Sequence, residues 1–357
     1  MGFQIAFYIH HHGSGHIMRA LAIASELTMP VTFLGSGLRA YRQLIPAHIT
    51  CVHLPLDVKG DKDRYFRSGH AVDTFHYAPL NVAGIRERNR IMTKFFSSAF
   101  PLLLVVDVSV EVALLARLCS VPTFIMRQHG YRNDPAHLAA YQSACLLIAP
   151  YARGLQGYGP AWVDAKTFFS GGFSRYTGKV LSKTSKRSRH VAVMTGKGGT
   201  SITIDFIKHL AGNCPDFHFY SIGGQGKMTD DLPSNITFCG DLNDPADVLI
   251  TSSLIIGNAG HNTVMEVADL NLPFICIPEN RPFGEQLLKA KSLSDRYNVK
   301  IVLPENILKT DWHSLLNIAL TDQTEWQGMI NPQALSGINV EIEKLGAILF
   351  PENGLTL

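Results

Sequence analysis

Short runs of apolar and β-branched residues alternate along the chain with longer stretches whose apolar positions recur at helical spacing. That alternation predicts parallel strands buried on both faces and joined by crossover helices. QIAFYI is the first predicted strand and HIMRALAIASEL the helix that follows; VTFLGS, LLLVVDV and TFIMRQ are later strands. Around 179–190 the text becomes KVLSKTSKRSRH, which is basic, lacks acidic residues and has almost nothing to bury. It predicts a solvated linker in preference to a phosphate- or membrane-binding segment. The pattern then restarts, with HVAVMT as a strand, GKGGTS as a glycine-rich turn and ITIDFIKHLAG as a helix. FHFYSIGG, ITFCGDL, LIIGNAG and PFICIPE supply further strands. Both halves therefore open with strand, glycine-rich turn, helix.

The expected architecture is α/β, with two Rossmann-like doubly wound domains over 1–178 and 191–357, the linker between them, and a cleft where the domains face each other. In such sheets ligands sit beyond the carboxyl ends of the strands. At 357 residues and 46% hydrophobic, the chain has globular composition and length for two domains. A net charge of +3 gives no argument for nucleic acid but suits an anionic ligand. The longest apolar run, PLLLVVDVSV, is too short to span a bilayer and is broken by Asp107. MGFQIAFYI lacks the features of a secretion signal, and the six scattered cysteines read as buried hydrophobes of a reducing compartment, so a cytoplasmic setting is expected. The stretch IRERNRIMTKFFSSAF mixes basic residues with Phe95, Phe96 and Phe100. Peripheral membrane contact there is one reading; a core helix explains the phenylalanines more simply.

Residues 5–27, IAFYIHHHGSGHIMRALAIASEL, raise a sharper question. A metal site in His10–His12 is discounted because consecutive side chains should leave a strand end in opposite directions. A dinucleotide fingerprint fails because Met18 stands where a third glycine is needed, and VTFLGSG ends without an acidic residue. What Gly13, Ser14 and Gly15 do offer is bare backbone at the positive end of a helix. His16, in the first turn, is read with equal weight as a capping histidine or as a general base aimed into the cleft.

In the second half, Gly257-Asn258-Ala259-Gly260 follows a buried strand. His261, Asn262 and Thr263 come next, and Glu266 lies one helical turn on. Donors at a helix N-terminus suit a diphosphate, and a carboxylate one turn later suits the paired hydroxyls of a ribose. Asn262 or Thr263 could cap the helix, and an ordinary capping box of Thr263 and Glu266 is the alternative. Glu285 and Gln286, after the strand PFICIP, are placed to meet sugar hydroxyls.

The ordered segment GNAGHNTVMEVADLNLP…IPENRPFGEQLLKA resembles the donor-binding signature of GT-B nucleotide-sugar glycosyltransferases. It is similar in particular to that of the bacterial N-acetylglucosaminyltransferases that complete lipid-linked peptidoglycan precursors. MTGKGGTS and HGSGHIMRALAIA resemble the glycine-rich turns that open the two domains of that family. The resemblance implies that Glu266 holds the ribose of a donor, UDP-linked in the closest family pattern. Gly196, Gly198, Gly199, Gly260, His261, Asn262 and Thr263 would surround the diphosphate, and Glu285 and Gln286 would reach the donor sugar. His261 and Lys289 depart from that pattern, standing where a small residue and an asparagine are usual.

The G-x-G-H-x-x-R turn also resembles the UDP-sugar hydrolase of pseudaminic acid synthesis. A 2-epimerase of the same fold and a catalytically silent binding module complete the alternatives. Lys197 precedes the second glycine of its turn, so no P-loop is formed. Transfer is expected without metal or other cofactor. Acceptor-side groups are expected among His12, Arg127, His129 and Arg132, cations and imidazoles suited to an anionic acceptor.

Overall fold

The computed structural model describes residues 2–68, 72–155, 159–180, 187–196, 198–223, 232–322 and 324–351. In chain order the first half contains β1 (Gln4–Ile9), α1 (Gly15–Ala24), β2 (Val31–Gly35), β3 (Thr50–His53), α2 (Ala83–Ser98), β4 (Leu102–Val106) and α3 (Val110–Leu118). It continues through β5 (Thr123–Met126), α4 (Pro135–Ser143), β6 (Leu146–Ala149), α5 (Ala161–Ala165) and β7 (Thr167–Phe169). These strands form one sheet in the order β3-β2-β1-β4-β5-β6-β7, every pairing parallel. Chain direction of growth reverses between β1 and β4, which makes that gap the switch point where a doubly wound sheet opens a crevice.

The second half holds β8 (His190–Met194), α6 (Ile204–Asn213), β9 (His218–Ile222), β10 (Ile236–Gly240), α7 (Ala246–Thr251), β11 (Leu254–Gly257) and α8 (His261–Asp269). After these come β12 (Phe274–Cys276), α9 (Glu285–Tyr297), β13 (Lys300–Ile301), α10 (Trp312–Thr321) and α11 (Ala334–Leu349). Its sheet runs β10-β9-β8-β11-β12-β13, again parallel, with the switch point between β8 and β11.

Period-two alternation builds both faces of the first sheet. Ile5, Phe7 and Ile9 of β1 pack with Ile17, Ala20 and Ile23 of α1, while Ala6 and Tyr8 face Met92 and Phe96 of α2. In the second sheet Val191 and Val193 meet Phe206 and Leu210 of α6, and Ala192 and Met194 face the α8 side. Phe96 thus belongs to the core, whereas Phe100 is 78% exposed with its ring edge-on to Phe350. No helix among the described residues is long and apolar enough to cross a membrane.

One boundary differs from expectation. Helix α11 does not belong to the second domain: Ala334, Leu335, Ile338 and Ile342 lie in the core of the first sheet, beside α1. The expected unit 191–357 therefore gives its last helix back to the first domain. The reason is packing, because the apolar stripe of α11 covers the face that α1 leaves open. The two chain crossings lie side by side. Gly172 N donates to Met329 O at 3.1 Å and Asn331 N to Gly172 O at 2.8 Å, while Asn331 Nδ2 reaches Ser170 O. Gly171 sits at φ +80°, and a Cβ on it would lie 2.5 Å from that of Asn331. Of the expected linker, residues 181–186 lie outside the described residues.

Candidate functional site

Strand β1 stops at Ile9, so His10–Ser14 are loop and α1 starts at Gly15. The ending overturns the expectation that neighbouring histidines splay apart. The rings of His10, His11 and His12 gather on one side, with centroids 4.2–4.8 Å apart. His12 N donates to His10 Nδ1 at 3.3 Å. Burial, reinforced by the neighbouring imidazoles, pulls His10 down to about 3, so it is neutral.

His16 faces the switch point. Its Nδ1 lies 3.2 Å from Asp107 Oδ2, just beyond β4, and its side chain is 17% exposed. Arg19, one turn along α1, grips the same carboxylate through Nη2 to Oδ1 at 2.8 Å and Nε to Oδ2 at 3.1 Å. Burial alone would raise the Asp107 carboxyl; Arg19 and His16 together outweigh it and hold it below its ordinary value. An ionised carboxylate only accepts, so the His16 proton sits on Nδ1 and Nε2 is left able to take one. Asp107 was not legible as a site residue, because it looks like an interruption in an apolar strand. Arg19 stood out only as the last position of the G-x-G-H-x-x-R turn.

In the second domain α8 begins at His261 with Gly260 as N-cap and no side-chain cap. The alternative capping box of Thr263 and Glu266 does not form, because Thr263, like Asn262, lies inside the first turn. That leaves the first amides of α8 unsatisfied by side chains. The glycine turns of the two domains meet here, Asn262 Nδ2 donating to Gly15 O at 3.3 Å. His261 Nε2 is buried without a hydrogen-bond partner. Burial, then the charges of Arg19 and Lys289, hold His261 well below its usual value.

Glu266 is 3% exposed and accepts from Arg175 Nε at 2.7 Å. Burial raises its carboxyl, only partly opposed by Arg175. Around it Met18, Arg19, Phe173, Arg175, His261 and Asn262 enclose about 10 Å³ of open space. Arg175 was not anticipated, since it lies outside every motif of the sequence.

Gly196, Gly198 and Gly199 are exposed; Gly198 lies beside Arg281, whose guanidinium donates to Gly199 O. A further unanticipated group, Glu279, gathers this turn onto the other. Its Oε1 accepts from Ser201 Oγ at 2.8 Å, Thr200 Oγ1 at 3.2 Å and Asn258 Nδ2 at 3.1 Å. Lys197 lies outside the described residues. Gln286 is buried, its Oε1 accepting from Glu279 N at 2.9 Å, so it braces the loop more than it faces a ligand. Glu285 lies between Arg132 at 3.3 Å and Lys289 at 3.5 Å. Lys289 is buried and donates to Ala259 O, its ammonium disfavoured by burial.

The acceptor-side expectation needs correction for two residues. Arg127 is turned away, paired with Asp164 at 2.5 Å and donating to Thr167. His129 is buried against Tyr151, with ring centroids 4.1 Å apart. Burial and four neighbouring cations keep His129 neutral, so it supplies no charge to an anion. Arg132 does reach the cleft, lying over the ring of Phe283 and beside His137. A cavity of about 80 Å³ opens there, walled by Val108, Val110, Ile125, Met126 and Phe283 with His76 and Arg132 at its polar end. His12 is exposed at the rim.

Residues 219–327 match the glycosyltransferase family 28 C-terminal domain. The solved structure of MurG from Acinetobacter baumannii is similar with a TM-score of 0.63 and 16% identity, over 96% of this chain and 99% of that one. The fold is GT-B. An "Uncharacterized glycosyltransferase" of Methanosarcina acetivorans is 29% identical over 38% of this chain and 36% of its own length. A UDP-N-acetylglucosamine--N-acetylmuramyl-(pentapeptide) pyrophosphoryl-undecaprenol N-acetylglucosamine transferase of Lachnospira eligens is 32% identical over 27% of this chain and 28% of its own. The chain thus spans about a third of the length of the curated relatives it matches. The GT-B chain carries its family 28 match in the second domain, where the donor-binding turn was expected.

Proposed function

We propose that this chain moves a glycosyl group from a nucleoside diphosphate sugar, UDP-linked as in the named relative, to an acceptor hydroxyl. The carrying observation is a convergence at the switch points of two facing sheets. An imidazole oriented by an ionised carboxylate meets a helix N-terminus with bare glycine backbone and an unpartnered buried imidazole.

In this reading the amides opening α8, with His261 and Asn262, receive the diphosphate. Glu266 takes the ribose hydroxyls once Arg175 yields or shares its oxygen. His16 Nε2 removes the acceptor proton as the hydroxyl oxygen bonds to the anomeric carbon. The anomeric C–O bond to the diphosphate breaks, and its electron pair leaves with the nucleotide, where the helix amides stabilise the charge without need of a metal. Asp107 positions His16, and the cavity beside Phe283 receives an acceptor with an apolar body and a polar end. A cytoplasmic setting with peripheral membrane contact belongs to the same proposal. The exposed ring of Phe100 supports the contact, while Phe96 is committed to the core.

Incubation with UDP-sugars tests this. UDP should appear only when an acceptor hydroxyl is supplied, and should disappear in His16→Ala. Release to water alone assigns hydrolysis, sugar interconversion without release assigns epimerisation, and tight UDP binding without turnover assigns a silent module; each overturns the transferase reading.

A further inference from the structure

We propose that His10, His11 and Asp57 form a binding site for a divalent d-block cation, zinc by the nature of its donors, on the acceptor side of the cleft. The inference is independent of the transferase reading. One ligand atom from each of the three residues lies within 4.8 Å of the others. His11 Nε2 is 3.9 Å from Asp57 Oδ1, too far for a hydrogen bond and suited to two ligands of one ion. Ligands around a tetrahedral zinc at its usual bond lengths lie roughly 3.3 Å apart, so the group must draw in by about 1 Å.

Two features separate this from a bare histidine run. His11 Nδ1 is buried and has no hydrogen-bond partner. Asp57 is held from behind, Arg88 Nη1 pairing with Oδ2 at 2.5 Å and leaving Oδ1 towards the imidazoles. A charged outer partner that fixes a ligating carboxylate is a usual element of metal sites. Two imidazoles and one carboxylate suit zinc, and three protein ligands leave a position for water or a ligand oxygen. The ring of His16 is 5.8 Å from that of His10, so the ion would sit next to the candidate base.

Zinc titrated calorimetrically into the full untagged chain, after metal stripping, tests the site; cobalt serves as a visible-spectrum reporter of coordination. One equivalent per chain is expected, with affinity falling about tenfold or more in His11→Gln, His10→Gln and Asp57→Asn. His209→Gln, on the outer helix α6, should bind as the parent does. Asp57→Asn strands Arg88, so if it fails to fold the two histidine variants decide. Absence of saturable binding overturns the proposal. So does binding that survives Asp57→Asn or His10→Gln yet is lost in His12→Gln, the behaviour of a plain histidine run.

Discussion

A carboxylate at the end of an apolar strand is costly to bury, and Asp107 meets that cost with two nitrogens of Arg19 and one of His16. Its orientation of His16 gives two expectations. His16→Ala should lower the turnover rate by about 10²–10⁴-fold, the usual contribution of a general base, while UDP affinity measured by calorimetry stays constant. Equal rates in variant and parent would remove His16 from the chemistry. Glu266→Ala should weaken UDP binding by about 1–3 kcal/mol, the cost of leaving buried polar partners unmatched. Unchanged affinity in the same titration would show that the ribose lies elsewhere. At this scale the sequence was partly legible. Turn and helix spacing pointed to His16, Arg19, Asn262 and Glu266. Asp107, Arg175 and Glu279 were not singled out, because their contacts depend on which strand ends become neighbours, and spacing along the chain carries no such information. Arg127 and His129 show the converse: a polar loop after a strand reads as a site, yet Arg127 is paired with Asp164 and His129 is packed on Tyr151.

Among elements, the strand–turn–helix units were legible from periodicity, and the parallel sheets with them. Helix α11 was not assignable to its sheet, since an amphipathic stripe shows that a helix is covered but not by what. Its docking leaves a specific mark. Gly346 lies against Phe3, and a Cβ there would fall 2.2 Å from the ring. Gly346→Ala should therefore destabilise the protein by about 1–3 kcal/mol through overpacking, read as a lower denaturant midpoint with unchanged slope. An unaltered midpoint would mean that the helix is not pressed onto Phe3. Gly257 is tight for a different reason, its space filled by Thr263 at 3.2 Å, which keeps the first turn of α8 close to the end of β11.

At the level of the whole molecule, the fold buries two imidazoles in neutral form. His129 and His261 lie 6.2 Å apart, with Arg19, Lys289 and Arg132 around them. Both have folded-state values depressed below the ordinary 6.5 by burial first and neighbouring cations second. Below about pH 6.5 the unfolded chain binds protons that the folded one refuses, so stability is full above that point and declines as pH falls. Thermal unfolding should thus shift downward between pH 7.5 and 5.5, and the slope should flatten in His129→Gln. An identical slope in that variant would place the titrating groups elsewhere.

The pairing of the crossings at Gly172 and Ile330 also governs how the two lobes can part. Seated side by side, the crossings join the lobes twice along one line, like two pins on one axle. A protease that cuts once within KVLSKTSKRSRH should consequently leave a nicked particle that elutes intact from a sizing column. The C-terminal tether still clamps the severed halves.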